Sequence, residues 1–292
     1  MTYSQARPAA LDATGEELAA AETRKQAADR RFAAAQKLLG MRGFRSPVGQ
    51  GNNPTGLFVR ESTFEVVDRQ SQPMVWRTPP TIVTLRLLGE CPVPILSSSW
   101  HATFCSPSGR EEEAEELTAL VDKVQAKHGS TPGRAWAAFL GFGDCNEYPV
   151  PAGETVPEVD WSSPEITDLV HRRHRARRQP DGSWKSCTYF DEAMLDCGMW
   201  DPARYAAHEL GQVSALDATA GHAAFGQGGS RRIDRGYMDP WTVQAVLEVN
   251  VVPTDGISDH HGLEVIVSRR KYEEGLRRSF ASLDPWPLTH SM

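Results

Sequence analysis

Asp144 and Asn146 close the apolar run in FLGFGDCNEYP (139–149), an acid and a carboxamide two residues apart. Strand side chains alternate faces. A strand ending here sends both groups to one side and Cys145 to the other. An acid beside an amide suits a site that holds water and an anion together. Asp, Asn and Gly are also the common residues of strand-end turns, so the stretch alone leaves both readings open. Similar groups recur along the chain. His101 interrupts SSSWHATF, Asp234 lies inside RRIDRGY, and Asp259 and His260 stand just before the strand-like LEVIV. Each has an ordinary role as well: a hydrogen-bonded core histidine, an arginine's partner, a turn cap. Their shared placement at strand ends is what ordinary roles do not explain.

The elements that must position these groups are legible in outline. ATGEELAAAETRKQAADRRFAAAQKLLG reads as a long helix, with Thr14 and Glu17 as a capping box and Gly40 as its stop. Strands are predicted over 57–67, 81–88, 94–104 and 136–142, and again over 231–239, 244–252 and 263–270. Ser108 with Glu111 would cap a helix running to about Lys127. Residues 162–178 look helical, with Ser163 as N-cap, Pro164 at the first helical position, and Ile166, Leu169 and Val170 as the apolar stripe. Residues 191–210 suggest one or two short helices. Helices alternate with strands, yet several adjacent strands lack a helix between them, which favours a mixed sheet with layered helices over a doubly wound parallel sheet. The reading is an irregular segment over 1–13, one domain over 14–270 and a tail over 271–292.

The 292 residues are 40% hydrophobic, enough for a sizeable core. A net charge of −7 argues against a protein that coats nucleic acid non-specifically, although a local basic groove is compatible with it. Five cysteines without a C-x-x-C speak against a disulfide framework or a zinc knuckle and for reduced thiols in a cytoplasmic setting. No apolar run approaches the length of a membrane span.

Taken in order, Trp100-His101, Gly143-Asp144-Cys145-Asn146, Arg232-Ile233-Asp234 and Ser258-Asp259-His260 resemble the signatures of the endonuclease/exonuclease/phosphatase superfamily, the group with the DNase I-like fold. The resemblance runs from roughly residue 30 to residue 268. It implies an α/β, four-layer sandwich of two mixed sheets with helices outside, and divalent-metal-dependent hydrolysis of phosphate esters. Position by position, Asp259 would bind Mg²⁺ or Mn²⁺, and Asp144 would orient or deprotonate the attacking water. Asn146 would hold that water or a phosphate oxygen. His260 would be oriented by Asp234, and His101 would contact the scissile phosphate. Arg232 and Asn53 are candidate substrate contacts. The family's first two strands, with a metal-binding Glu, have no counterpart here. The expectation is therefore an N-terminally incomplete domain, with an uncovered sheet edge through which copies could associate.

The expected substrate is a phosphate ester, with nucleic acid as one class. A small-metabolite phosphatase and a non-catalytic binding protein are the alternatives. HRRHRARR (171–178) is either a solvated helix face or a grip on a nucleic-acid backbone or polyphosphate. GQGGSRR (226–232) is either a flexible loop or a loop that presents arginines to an anion.

Overall fold

The structure is a computed structural model, and it describes residues 15–46, 54–70, 76–89, 91–126, 137–221, 225–254 and 256–277. Asn53, the Thr14–Glu17 capping box and residues 1–13 lie outside what is described. The chain forms two units, residues 1–43 with 58–61 and residues 44–57 with 62–292.

In the first unit, helix α1 (Gly15–Leu39) ends where expected, on Gly40 with φ +60°. The left-handed backbone there carries no Cβ penalty. The Phe32 and Phe58 rings pack 5.2 Å apart, and the Gln36 carbonyl Oε1 accepts from the Gly43 amide at 2.8 Å.

The rest of the chain is organised by its apolar runs. Strand β1 (Arg42–Arg45) pairs with β2 (Gly56–Val59). Next come β3 (Phe64–Gln70), β4 (Thr81–Leu87), β5 (Pro94–His101), helix α2 (Pro107–Ala126) and β6 (Ala138–Asp144). Helix α3 (Leu169–Arg175) leads into a small hairpin of β7 (Ala176–Arg178) and β8 (Trp184–Ser186). Helices α4 (Tyr189–Asp196) and α5 (Pro202–Glu209) precede β9 (Asp234–Met238), β10 (Val246–Val252), β11 (Gly262–Val267) and helix α6 (Arg269–Arg277). Five strands form one mixed sheet in the order β3-β4-β5-β6-β9, in which β5 and β6 run parallel and the other pairs antiparallel. Leu117 from α2 and Phe190 from α4 pack with Leu96, Trp100, Phe139 and Tyr237 of the sheet in the main core. A second, antiparallel sheet consists of β10 and β11, and β11 has no further strand partner among the described residues. Phe64, Leu87, Phe142, Met238, Val265 and Tyr272 line an apolar cleft of about 330 Å³.

Several sequence expectations need correction. The single strand over 57–67 is two, β2 and β3, because the polar Arg60–Thr63 segment turns between them. Helix α2 is capped by Ser106, whose Oγ accepts from the Gly109 amide at 3.1 Å, rather than by Ser108. The helix over 162–178 shrinks to α3. Ser163 instead makes a local turn, accepting from the Glu165 amide at 3.2 Å, while Asp168 caps α3 through the His171 amide at 2.8 Å. Leu169 and Val170 are 59% and 65% exposed, so the expected apolar stripe does not exist. Helix α6 crosses the boundary drawn at residue 270. None of the five cysteines is disulfide-bonded. Among the described residues, no helix is long and apolar enough to cross a membrane.

One buried charge network ties α4, α5 and β9 together. The Asp191 carboxylate accepts from the Val150 amide, the Arg204 guanidinium and the Tyr237 hydroxyl, each at 2.7 Å. Arg232 in turn donates to Asp201 at 2.6 Å and to Glu154 at 3.0 Å, and Arg204 pairs with Glu154 at 3.0 Å. Burial alone would push the Asp191 carboxyl up, but Arg204 and Arg235 hold it well below the usual carboxylate range. Removing one member leaves buried charge without a partner, which costs more than an intact pair contributes. Asp191→Ala is therefore expected to destabilise the fold by about 3–5 kcal/mol, read from the urea midpoint with the m-value unchanged. A loss below about 1 kcal/mol would show that solvent or repacking satisfies the arginines.

Candidate functional site

Strand register brings the chemistry together. Across the parallel β5–β6 pair His101 stands opposite Asp144, and across the antiparallel β6–β9 pair Asp144 stands opposite Asp234. Three potential reacting groups thus lie side by side at one rim. Two close approaches make that packing depend on glycine. A Cβ on Gly143 would collide with the carbonyl oxygen and indole of Trp100, and one on Gly236 with the Phe142 ring.

His260 reaches the same rim from the loop before β11. The Thr219–Ala220 segment carries it there: Ala220 bridges to His260, and the His261 amide donates to the Thr219 carbonyl at 2.7 Å. Thr219 Oγ1 also accepts from the Asp234 amide at 3.0 Å. The Asp234 carboxylate then receives His260 Nδ1 at 2.9 Å. A carboxylate only accepts, so Nδ1 carries the proton and Nε2 is left for other work. The Asp234 hydrogen bond, opposed by partial burial, lifts the imidazole pKa to about 9. Burial raises the Asp144 carboxyl, and the neighbouring Asp234 charge raises it further. His101 Nε2 is 3.6 Å from Asp144 and partly exposed.

Asn146 is bound differently from the sequence expectation. It is the one non-glycine residue with positive φ among those described, at +49°. Asn tolerates this left-handed geometry better than most residues. Its amide group donates to the Ala102 carbonyl at 2.8 Å and to Asp144 Oδ2 at 2.9 Å, and its backbone N–H donates to Asp144 Oδ1 at 2.7 Å. Both side-chain N–H groups are therefore committed to the protein. Asn146 holds Asp144 in place, where the resemblance implied that it would hold water or phosphate.

Its carbonyl oxygen points to a residue that the sequence did not single out individually. Arg175, at the end of α3, donates to Asn146 Oδ1 at 2.5 Å and to the Phe104 carbonyl at 2.8 Å. Arg175 is buried, although it belongs to the basic run read as a solvated face or backbone grip. A cleft of about 440 Å³ opens here, lined by Asn146, Tyr148, His171, Arg175, Arg231, Asp259 and His260 among others. Arg231 faces this cleft, whereas Arg232, the expected substrate contact, is 1% exposed and ion-paired to Glu154 and Asp201. Adjacent residues of an extended segment point opposite ways, so the choice between two neighbouring arginines turns on which side the acids occupy. Helical spacing of residues 171 and 175 was the signal that could have separated Arg175 from its exposed neighbours.

Atoms of Asp144, Asp234 and His260 that could hold a metal lie within 4.8 Å of one another. Asp259, the expected metal residue, is exposed and not part of that group. The donor set fits a divalent cation. Two carboxylates already repel each other across β6 and β9, which helps raise the Asp144 pKa, and a cation between them would remove that penalty.

The Asp234–His260 bond makes a definite expectation for the metal-free protein. Asp234→Asn should move the His260 pKa down from about 9 toward the ordinary value near 6.5, followed by NMR titration of the imidazole. The native pKa is raised, so the pair's stabilisation is complete below about pH 6.5 and is lost as pH rises through about 9. An unchanged titration in the variant would mean that Asp234 does not control the ring.

No protein-family profile matches the chain, and no curated protein matches it. Solved structures do. A 3′–5′ exonuclease from Neisseria meningitidis is 18% identical, covers 80% of this chain and 82% of its own, and superposes with a TM-score of 0.50. A 3′ phosphatase from Neisseria bound to product DNA hairpin is 16% identical over 81% of this chain and 82% of its own, with a TM-score of 0.48. An endonuclease/exonuclease/phosphatase family protein from Bacteroides thetaiotaomicron is 14% identical over 81% of this chain and 78% of its own, with a TM-score of 0.46. With its mixed five-stranded sheet and flanking helices, the chain shares the fold of that exonuclease, the DNase I-like fold.

Proposed function

We propose that this chain is a phosphoester hydrolase acting on phosphodiesters, with Mg²⁺ or Mn²⁺ as its cation. The observation that carries the reading is the His101–Asp144–Asp234 row with His260 bonded to Asp234, next to a cleft that also contains Arg175 and Arg231. The exonuclease from Neisseria meningitidis has the same fold, which makes phosphoester chemistry a reasonable function for this framework.

In this scheme Asp144 takes the proton of the attacking water. Its raised pKa makes it a stronger base than an exposed carboxylate. His260, kept as an imidazolium by Asp234, presents Nε2–H to the phosphoryl or leaving oxygen as negative charge develops there. Arg175 and Arg231 balance the phosphate charge, and Asn146 fixes both Asp144 and Arg175. His101 contacts the phosphate from the rim. Asp144 and Asp234 would hold the cation, the protonated His260 beside them serving as a donor and not as a ligand, and Asp259 lines the adjoining cleft. The cation itself supplies Lewis-acid neutralisation of the phosphoryl oxygens.

The test is hydrolysis of bis(p-nitrophenyl) phosphate in Mg²⁺ or Mn²⁺ against EDTA. Asp144→Asn and His260→Ala should each lower kcat by about 10²–10⁴-fold with little change in Tm. Arg175→Lys should fail to restore full turnover, because a lysine cannot keep both the Asn146 and Phe104 contacts. Turnover that survives Asp144→Asn, or that ignores EDTA, would sink the scheme. Preference for p-nitrophenyl phosphate over the diester would move the substrate to a small monoester.

A further inference from the structure

Where the chain enters β9, two consecutive main-chain amides end on one buried oxygen. Thr219 Oγ1 accepts from the Ile233 amide at 3.1 Å and from the Asp234 amide at 3.0 Å. A hydroxyl oxygen has two acceptor lone pairs, so both are taken. Thr219 is fully buried, and bulk water cannot stand in for that oxygen. The bond to β6 at this point uses the Ile233 carbonyl instead, which accepts from the Cys145 amide at 3.0 Å. The main chain of the same short segment reaches the other parts of the site. The Thr219 carbonyl accepts from the His261 amide at 2.7 Å, and Ala220 bridges to His260. The Thr219 and Ala220 amides both donate to the Arg231 carbonyl at 2.9 Å, and the Arg231 amide donates back to the Ala220 carbonyl at 2.8 Å. Two consecutive residues thus hold the backbones on which Arg231, Asp234 and His260 are mounted. Of these contacts only the Thr219 hydroxyl is a side chain, so it is the one that residue type decides.

Asp234 and His260 come from segments 26 residues apart, and their side chains meet at 2.9 Å while both stay partly exposed. Nothing at the surface encloses that bond, so its geometry follows from where the two backbones are anchored. Thr219 anchors both, with its hydroxyl on the Asp234 side and its carbonyl beside His260. A β-branched side chain is stiff at χ1, which keeps Oγ1 aimed at the two amides. Valine has nearly the same shape and no acceptor. It would leave two buried amides unpaired, and the entry to β9 would have to shift to pair them. Serine keeps the oxygen. We infer that Thr219 is a positioning residue, which sets Asp234 against His260 through the main chain without touching substrate or cation. Its catalytic purpose rests on the phosphoester-hydrolase reading, and its geometry does not.

The experiment takes two readouts on the full chain. One is the NMR resonance of the His260 Nδ1 proton, recorded in EDTA at low temperature and assigned by its absence from His260→Ala. Bonded to Asp234, this proton is sheltered from water and visible; released, it exchanges and disappears. The other is kcat and KM for bis(p-nitrophenyl) phosphate in Mg²⁺. Thr219→Val should lose the resonance and lower kcat by about 10–10²-fold, as a small misplacement of reacting groups does, with KM changed by less than about twofold. Thr219→Ser should keep the resonance and most of kcat. A resonance missing from the unsubstituted chain or persisting in Thr219→Val, equal losses in the two variants, or a raised KM with kcat unchanged would each overturn the inference. So would a Thr219→Val chain that circular dichroism shows unfolded, since Thr219 would then stabilise the whole domain and not the pair. Loss of the resonance in Thr219→Val without diester turnover by the unsubstituted chain would remove the hydrolase reading and leave Thr219 as the anchor. Turnover with an unaltered resonance in Thr219→Val would do the reverse.

Discussion

The pairing register of β5, β6 and β9 is the constraint on which the rim depends. His101, Asp144 and Asp234 are direct cross-strand neighbours, so their separation is set by strand spacing and not by side-chain flexibility. A slip of one residue in either pair would turn one of them toward the core. Glycines at 143 and 236 secure the register by admitting the Trp100 and Phe142 rings against the backbone. The site inherits its geometry from close packing underneath it.

Around that row, charge is divided between two environments. One network is fully buried and internally paired, with Asp191, Glu154 and Asp201 holding Arg204, Arg232 and Arg235. It fastens the helices to β9 and offers nothing to a ligand. The second is partly open: Asp144 and Asp234 meet His260, and His260 shares a cleft with Arg175 and Arg231. Desolvation is incomplete there, so pKa values are displaced yet the groups remain accessible. Cys145, next to Asp144, shows the opposite case: burial pushes its thiol up to about 12 and keeps it inert.

α3 and the loop over 225–230 are the local features that give this rim its own character. Gln227 donates to Asp168 at 2.8 Å, and the Gly226 carbonyl accepts from the Thr167 and Asp168 amides at 3.1 Å. The loop and the α3 cap thus stabilise each other. His171 sits between them, its pKa lowered to about 4 by burial and then by Arg175, which keeps the ring neutral. A neutral ring against Tyr148 and Trp161 supports the wall without adding another charge to a cationic cleft.

The sequence by itself determined that His101, Asp144, Asp234 and His260 fall at or beside strand ends, because strand alternation and turn composition are local properties, while the chemistry that their order suits was implied only by the resemblance. It also determined that Asp234 and His260 should meet, through the resemblance that orders their motifs. Tertiary structure decided what local pattern cannot. Arg231 and Arg232 are identical neighbours, and the acids packed behind β9 and α5 select the second as structural. In HRRHRARR the composition is uniformly basic, yet a short helix turns Arg175 inward onto Asn146 and leaves Arg173 and Arg178 outside. Asn146 has an amide suited to a ligand, but Ala102, distant in sequence, occupies one of its donors. In each case the role depends on which partner arrives from elsewhere in the chain, and long-range pairing is the quantity that residue type and spacing leave open.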